Sequence, residues 1–388
     1  MAAVRRRTWK TASGETKTAW VVDYTDSHGG RKRRHFSNKK AADVFRIHIE
    51  GQMQAGTYRP NADKVTVKEV CDSFLEHCAG RNARDERMTR KMLTVYKGHV
   101  KNHIVHPDHG IGSRKLSQFT ARSVGDFRDA LRRVGVTVPT TRKILATLHT
   151  ALEYAISQDW VATNAARGTR VIGARDEGSK KIIPPSKEDM RTLLDAASPD
   201  LRVMLLFAAT TGARAGEQWA ARWRDLDLDN GKLNITHRVD AYGEDGAPKS
   251  AAGVRSVPIS NQLATILKAW KLKSKFKNPD DLIFPNSEGK HIGHDNLIKR
   301  HFLPLFDKLE VGHENDPANT PSLLRRFNWH GLRHFAVSSW IEAKLTPKTV
   351  QTFAGHASLQ VTMDRYGHLF PSEDHQKAMD QIAKDLFA

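Results

Sequence analysis

Near the carboxy-terminal end of this chain His330 and Arg333 stand three residues apart. His356 follows within Phe353-Ala354-Gly355-His356, and Tyr366 comes ten residues later. Guanidinium groups pair in bidentate fashion with phosphate oxygens, and imidazoles move protons near neutral pH. A phenol attacks phosphorus once neighbouring cations lower its pKa. Together these are the groups needed for phosphoryl transfer through a covalent tyrosine. An upstream box, Thr211-Gly212-Ala213-Arg214-Ala215-Gly216-Glu217, adds a second arginine, with Glu217 three residues on to orient its guanidinium. Standing alone, a His-x-x-Arg is a solvated helix face and the upstream box a helix C-cap with an exposed arginine. The ordered set is what is specific.

Rigid elements must hold these groups. Leu201 to Thr210 reads as a buried apolar helix that anchors the turn carrying Arg214. Ser186, with Asp189 at the capping-box offset, opens the helix before it. Leu233 to Val239 and Gly253 to Ile259 alternate, as strands of a small sheet do. Lys249 stands in the turn region between them, placed to give a proton to a leaving oxygen, with a solvated loop lysine as the alternative. Met379, Ile382, Ala383 and Leu386 form a stripe on a terminal helix that packs in cis or docks on a neighbouring subunit. From Ser260 to Arg326 no chemistry is legible, neither a Gly-rich phosphate loop nor an acidic cluster for two metal ions.

The chain has 388 residues, room for two or three domains, and a net charge of +19. Residues 1–60 hold 13 Lys and Arg against 5 Asp and Glu, and residues 61–180 hold 21 against 13. The carboxy-terminal remainder is nearly balanced, so the excess marks a polyanion partner for the first 180 residues. The longest apolar run, Val203 to Ala209, is far short of a membrane helix. No apolar stretch follows Arg5, Arg6 and Arg7, so no secretory signal is expected, and two cysteines, Cys71 and Cys78, suit a reducing cytoplasm.

Residues 1–60 read as a small α+β module of three strands and a helix from Lys39 to about Gln54, capped by Ser37 or Asn38. Arg31, Lys32, Arg33 and Arg34, with Arg5, Arg6 and Arg7, are its candidate DNA contacts. Thr57 to Asp63 reads as a linker. Residues 64–172 read as an all-α bundle, with an amphipathic stretch from Leu116 to Leu131 and phosphate contacts from Arg90, Lys91, Lys97, Lys101, Arg142 and Lys143. His99, His103, His106 and His109 lack matched cysteines and are broken by Pro107 and Gly110, so no metal site is assigned. Residues 180–388 form the third unit, mainly helical with a small antiparallel sheet.

The boxes at Thr211–Glu217, Lys249, His330-Gly331-Leu332-Arg333-His334, Gly355-His356 and Tyr366 together resemble the tyrosine recombinases, the phage integrase family. The order holds across the carboxy-terminal half, with Ala354 standing where the family has Leu. The bundle resembles that family's core-site-binding domain, and residues 1–60 resemble the arm-binding domain of prophage, genomic-island and conjugative-element integrases. The resemblance implies a site-specific recombinase that integrates or excises a mobile element. Tyr366 attacks a phosphodiester to leave a 3′-phosphotyrosine, and Arg214 and Arg333 clamp the phosphate. Lys249 protonates the departing 5′-oxygen, although Lys232 also flanks the strands. His330 handles the tyrosyl proton, His356 hydrogen-bonds the phosphate, and Glu217 supports. No metal and no nucleotide cofactor is implied. The implied partners are double-stranded DNA at core and arm sites, three further copies in a homotetramer, an excision factor and a host DNA-bending protein, in the cytoplasm at the nucleoid and without a membrane. A resolvase of the Xer or Cre kind and a catalytically silent architectural protein are the rival readings.

Overall fold

The computed structural model describes residues 2–12, 14–25, 29–84, 86–174, 177, 182–248, 250–314, 327–370 and 375–387. The chain divides into two units, Met1–Ser179 and Lys180–Ala388. Among the described residues no helix is long and apolar enough to cross a membrane.

The first unit opens with an antiparallel sheet in the order β1 (Ala3–Lys10), β2 (Thr16–Thr25), β3 (Arg31–Phe36). Helix α1 (Lys39–Gln54) begins at Asn38, whose side chain accepts from the Ala41 amide at 2.8 Å. One sheet face carries Val4, Trp20, Val22 and Phe36 and packs on Ala42 and Phe45 of α1. Strand alternation therefore puts Arg6, Lys32 and Arg34 on the α1 side and Arg5, Arg7, Arg31 and Arg33 on the open side. The stretch expected to be a linker is docked instead. Tyr58 is buried and donates to the Tyr24 hydroxyl at 3.2 Å, while Arg59 pairs with Asp159 at 2.6 Å.

The bundle follows, built from α2 (Val67–Ala83), α3 (Arg90–His99), α4 (Ala121–Arg133) and α5 (Val138–Ser157). Its core gathers Val70, Phe74, Leu93, Phe127, Leu131, Ile144, Leu148 and Leu152, apolar positions of the four helices. Helix α3 runs on as a π-helical turn, Val100–Ile104. The amphipathic stretch expected from Leu116 becomes a 3-10 turn over Leu116–Gln118, and α4 starts only after Thr120. That residue closes a capping box with Ser123 and so fixes the helix start.

The second unit starts with α6 (Lys187–Ala196), capped by Ser186 and Asp189 as expected, then α7 (Pro199–Thr211) and α8 (Ala215–Ala220). A sheet β4 (Leu226–Asp227), β5 (Lys232–Ile235) and β8 (Arg255–Pro258) pairs in the order β4-β5-β8, and β6 (Arg238–Val239) pairs with β7 (Asp245–Gly246) apart from it. The single strand expected over Leu233–Val239 is thus two. Thr236, whose hydroxyl shares a hydrogen bond with its neighbour His237 at 2.8 Å, stands at the break. Helices α9 (Asn261–Lys273), α10 (His294–Leu297) and α11 (Leu303–Glu314) follow, α9 against α7 and α11 against α6. The last four helices are α12 (His330–Glu342), α13 (Pro347–Ala354), α14 (Leu359–Tyr366) and α15 (His375–Phe387). Phe207, Trp219, Phe284, Phe302 and Trp329 fill the core under α7 and α12. On α15, Met379, Ile382 and Leu386 are exposed.

Candidate active site

The upstream box is a helix end followed by a helix start. Gly212, at φ +60°, closes α7 in the left-handed conformation, and a Cβ there would stand 2.7 Å from the Trp340 ring. Arg214 then occupies the N-cap of α8. Its amide donates to Glu217 Oε2 at 2.9 Å, its Nη1 to Glu217 Oε1 at 2.7 Å, and its Nη2 to the Gly355 carbonyl at 2.9 Å. Arg214 is thereby tied at once to its own helix start and to the loop before His356.

Glu217 is 5% exposed and holds a second cation. Arg255 of β8 reaches both carboxylate oxygens, at 3.1 and 2.8 Å, and also donates to the carbonyls of Phe353 and Gly253 at 2.7 and 2.9 Å. Burial alone would raise the Glu217 carboxyl pKa. The hydrogen bonds and charge of Arg255, with the charge and amide of Arg214, outweigh it and bring it down to about 2. Arg255 is a site residue that sequence reasoning missed. Strand alternation was its only signal, and alternation says nothing about what a buried guanidinium pairs with.

Arg333, on the first turn of α12, is 2% exposed and pairs with no carboxylate among the described residues. It donates instead to two main-chain carbonyls, Gly212 at 2.7 Å and Ala354. Burial, then the charges of Arg214 and Arg255, push it down to about 9, so it stays charged at neutral pH. Its charge is left for a ligand.

Tyr366 ends α14 and is 1% exposed. Its hydroxyl shares a 2.6 Å hydrogen bond with Nδ1 of His334, while the His356 ring stacks on the phenol at 15° and 6.2 Å between centroids. Cations were expected to lower this phenol. Its pKa is raised instead, because burial outweighs the opposing charges of Arg333, Arg365 and Arg214.

His356 Nδ1 shares a 2.9 Å hydrogen bond with Thr362 Oγ1, and its buried Nε2 has no hydrogen-bond partner among the described residues. Burial, then Arg333 and Arg214, hold it at about 3 and therefore neutral. An unpartnered buried ring nitrogen is costly until a ligand meets it. His330 and His334 lie one helical turn apart on α12, rings edge to face at 4.7 Å, and burial with neighbouring charges lowers both to about 4. His334 and Thr362 were not singled out from sequence. The i, i+4 spacing of the two histidines was the one available hint.

Lys249 lies outside the described residues. Lys232 is exposed on β5, opposite Pro258. In the other unit the candidate DNA contacts are exposed but unevenly free. Arg5 and Arg33 share Asp23 at 2.5 and 2.7 Å, and Arg34 pairs with Asp63 at 3.1 Å while covering the Phe45 ring. Arg142 donates to the Val171 carbonyl at 2.9 Å. Arg6, Arg7, Arg31, Lys32, Arg90, Lys91, Lys97, Lys101 and Lys143 are exposed. His106 and His109 stack at 4.1 Å, and among the described residues no group of three metal-ligating side chains forms.

Two arginines, an imidazole whose Nε2 has no hydrogen-bond partner among the described residues and a hydrogen-bonded phenol come together here, and residues 186–373, which carry all of them, match the phage integrase family. Over that stretch the chain is similar to the tyrosine recombinases. A tyrosine recombinase XerC-like protein of Caldanaerobacter subterraneus subsp. tengcongensis is 25% identical over 330 residues, 78% of this chain and 80% of that one. The ICEBs1 integrase of Bacillus subtilis is 24% identical over 70% of this chain and 72% of its own length. Among solved structures, the Tn1549 transposon integrase in complex with a circular intermediate DNA superposes with a TM-score of 0.64 at 16% identity. It covers 83% of this chain and 99% of that one. A lambda integrase dimer bound to a core site gives 0.57 at 17% identity, covering 92% and 93%. The chain therefore shares the multidomain fold of these integrases.

Proposed function

We propose that this protein is a site-specific recombinase, an integrase that moves a mobile element into or out of double-stranded DNA through a 3′-phosphotyrosine at Tyr366. The observation that carries the reading is the convergence on one buried phenol of Arg333, whose hydrogen bonds among the described residues go to carbonyls, and His356, whose Nε2 has no hydrogen-bond partner among them. A phosphodiester between Arg214, Arg333 and His356 would satisfy all three. The two guanidiniums would hold the non-bridging oxygens as negative charge builds in the transition state. Lys249 would protonate the departing 5′-oxygen, so that the covalent ester conserves the bond for rejoining.

The amino-terminal regions supply the rest of the reading. Residues 1–60 would bind arm-type DNA through the open sheet face with Arg5, Arg7, Arg31 and Arg33, beside the Trp9 and His35 rings 5.8 Å apart. Residues 64–172 would hold core DNA through the lysines and arginines of α3 and α5, and residues 180–388 would carry the chemistry. Assembly would be a homotetramer on DNA, as in the lambda integrase tetramer bound to a Holliday junction, with an excision factor and a host bending protein setting direction, at the nucleoid. A three-stranded basic module favours this over a Xer-like or Cre-like resolvase.

Covalent trapping tests the proposal. The protein and its Tyr366→Phe variant are incubated with nicked duplexes drawn from the DNA flanking its gene, and SDS-resistant adducts are sought. An adduct in the wild type and none in the variant is expected. Tight binding without an adduct on any flanking DNA would overturn the catalytic reading in favour of an architectural protein, and an adduct that persists in the variant would overturn the choice of tyrosine.

A further inference from the structure

The resemblance gave the tyrosyl proton to His330, yet the nitrogen in contact with the phenol belongs to another residue. His334 Nδ1 is 2.6 Å from the Tyr366 hydroxyl oxygen, within the range of the shorter O–H···N contacts. We propose that His334 accepts the phenolic proton of Tyr366 as the tyrosyl–phosphorus bond forms, and returns it when the strand is rejoined. The proposal rests on the phosphotyrosine chemistry above.

The neighbouring imidazoles are placed for other work. His356 lies nearly parallel to the phenol ring, so its in-plane nitrogens do not aim at the hydroxyl, and its Nδ1 is already engaged by Thr362. His330 sits edge to face against His334 on the more solvent-exposed side. His334 itself lies near the start of α12, directly after Arg333, on a helix anchored by the buried Ala336 and Val337. Its position is therefore set by the same helix that places the phosphate-binding arginine, which fixes base and clamp relative to one another.

The protonation state suits an acceptor. Burial, then the charges of Arg333 and Arg365, hold the imidazole neutral. With a proton on Nε2, its Nδ1 lone pair faces the phenol. A phosphate anion seated on Arg333 offsets that arginine's repulsion and makes the imidazole more basic, so the acceptor strengthens when DNA arrives. In the step itself the phenolic oxygen bonds to phosphorus, the phosphorus–5′-oxygen bond breaks, and the phenolic proton passes to Nδ1 to leave an imidazolium. The departing 5′-oxygen takes a separate proton from the donor assigned to Lys249. Rejoining runs the same transfers backwards.

The test uses full-length protein and a trapped core-site duplex, in single turnover. Two versions are compared, one with an ordinary phosphodiester and one with a 5′-bridging sulfur at the scissile position, whose thiolate leaves without needing a proton. His334→Gln is expected to cut on the order of 10²-fold more slowly with unchanged DNA binding, and the sulfur is expected not to restore it, whereas the same sulfur restores Lys249→Ala. His334→Asn, which sets an amide oxygen near the Nδ1 position, is the second variant and is expected to behave like His334→Gln. Cleavage by either variant within threefold of wild type would mean that His334 only positions the phenol or does nothing, and would overturn the proposal. Rescue of either by the bridging sulfur would move His334 to the leaving-group side and overturn it equally. A wild type that forms no adduct would instead bring down the function on which this rests, a result separable from a cleaving wild type beside a cleaving variant.

Discussion

Removing the charge of Glu217 tests how the two guanidiniums around it are held. The carboxylate receives two hydrogen bonds from Arg255 and one side-chain bond from Arg214, and its pKa lies near 2 against an ordinary 4.5. The difference of 2.5 pH units corresponds to about 3 kcal/mol at 1.36 kcal/mol per unit. Because the folded value is the depressed one, this stabilisation is complete above pH about 4.5 and is lost as pH falls toward 2. Glu217→Gln should therefore lower the stability of the carboxy-terminal unit by about 3 kcal/mol at pH 7, within the range for breaking one half of a buried ion pair. The probe is intrinsic: Trp219 is buried two residues away, so urea unfolding followed by tryptophan fluorescence reports this region. A shift in Tm of roughly 2–4 °C per kcal/mol, as for a unit of this size, should accompany it. Arg255→Met added to Glu217→Gln should recover a large part of the loss, since it removes the orphaned buried cation. Equal urea midpoints for wild type and Glu217→Gln at pH 7, or a double variant less stable than Glu217→Gln, would refute the reasoning that the carboxylate matters by compensating Arg255.

Thr362→Val should slow strand cleavage on the order of tenfold while leaving DNA binding intact, because the hydroxyl that holds His356 Nδ1 is lost and its outward nitrogen no longer carries a defined tautomer; Thr362→Ser should cleave close to wild type, and single-turnover cleavage checks both. Deleting residues 1–60 should flatten the plot of log affinity against log salt by about 0.9 for each phosphate that is no longer neutralised, measured by fluorescence anisotropy on arm-type DNA; an unchanged slope would remove the basic sheet face from the DNA interface.

Much of the fold was legible because its punctuation is local chemistry. Asn38 and Ser186 open their helices where cap residues should, and Gly212 ends α7 where a left-handed residue is needed. The order Arg214, His330, Arg333, His356, Tyr366 was legible as well, since motif spacing survives whatever the tertiary details. What could not be read depends on meetings between distant segments. Arg255 alternates like any strand residue, and only the fold brings it to Glu217, 38 positions away. His334 stands beside Arg333 in sequence, but its contact with Tyr366 spans 32 residues. The sign of the phenol's shift is hidden from sequence for the same reason, because counting nearby cations says nothing of how deeply the ring is buried. The break at Thr236 is equally hidden, because an alternating pattern continues across it.

Arg333 receives its two carbonyl acceptors from the ends of two different helices, Gly212 after α7 and Ala354 at the last turn of α13. Each is the negative pole of a helix dipole, so the guanidinium acts as a keystone between two opposed helix ends. The arrangement behaves as a logical AND. If either helix end swings away, Arg333 loses a hold and the clamp opens, whichever end moved. The segment that carries His356 and leads to Tyr366 is thus tied, through one guanidinium, to the segment that carries Arg214. One buried side chain is the interlock between the two helix ends.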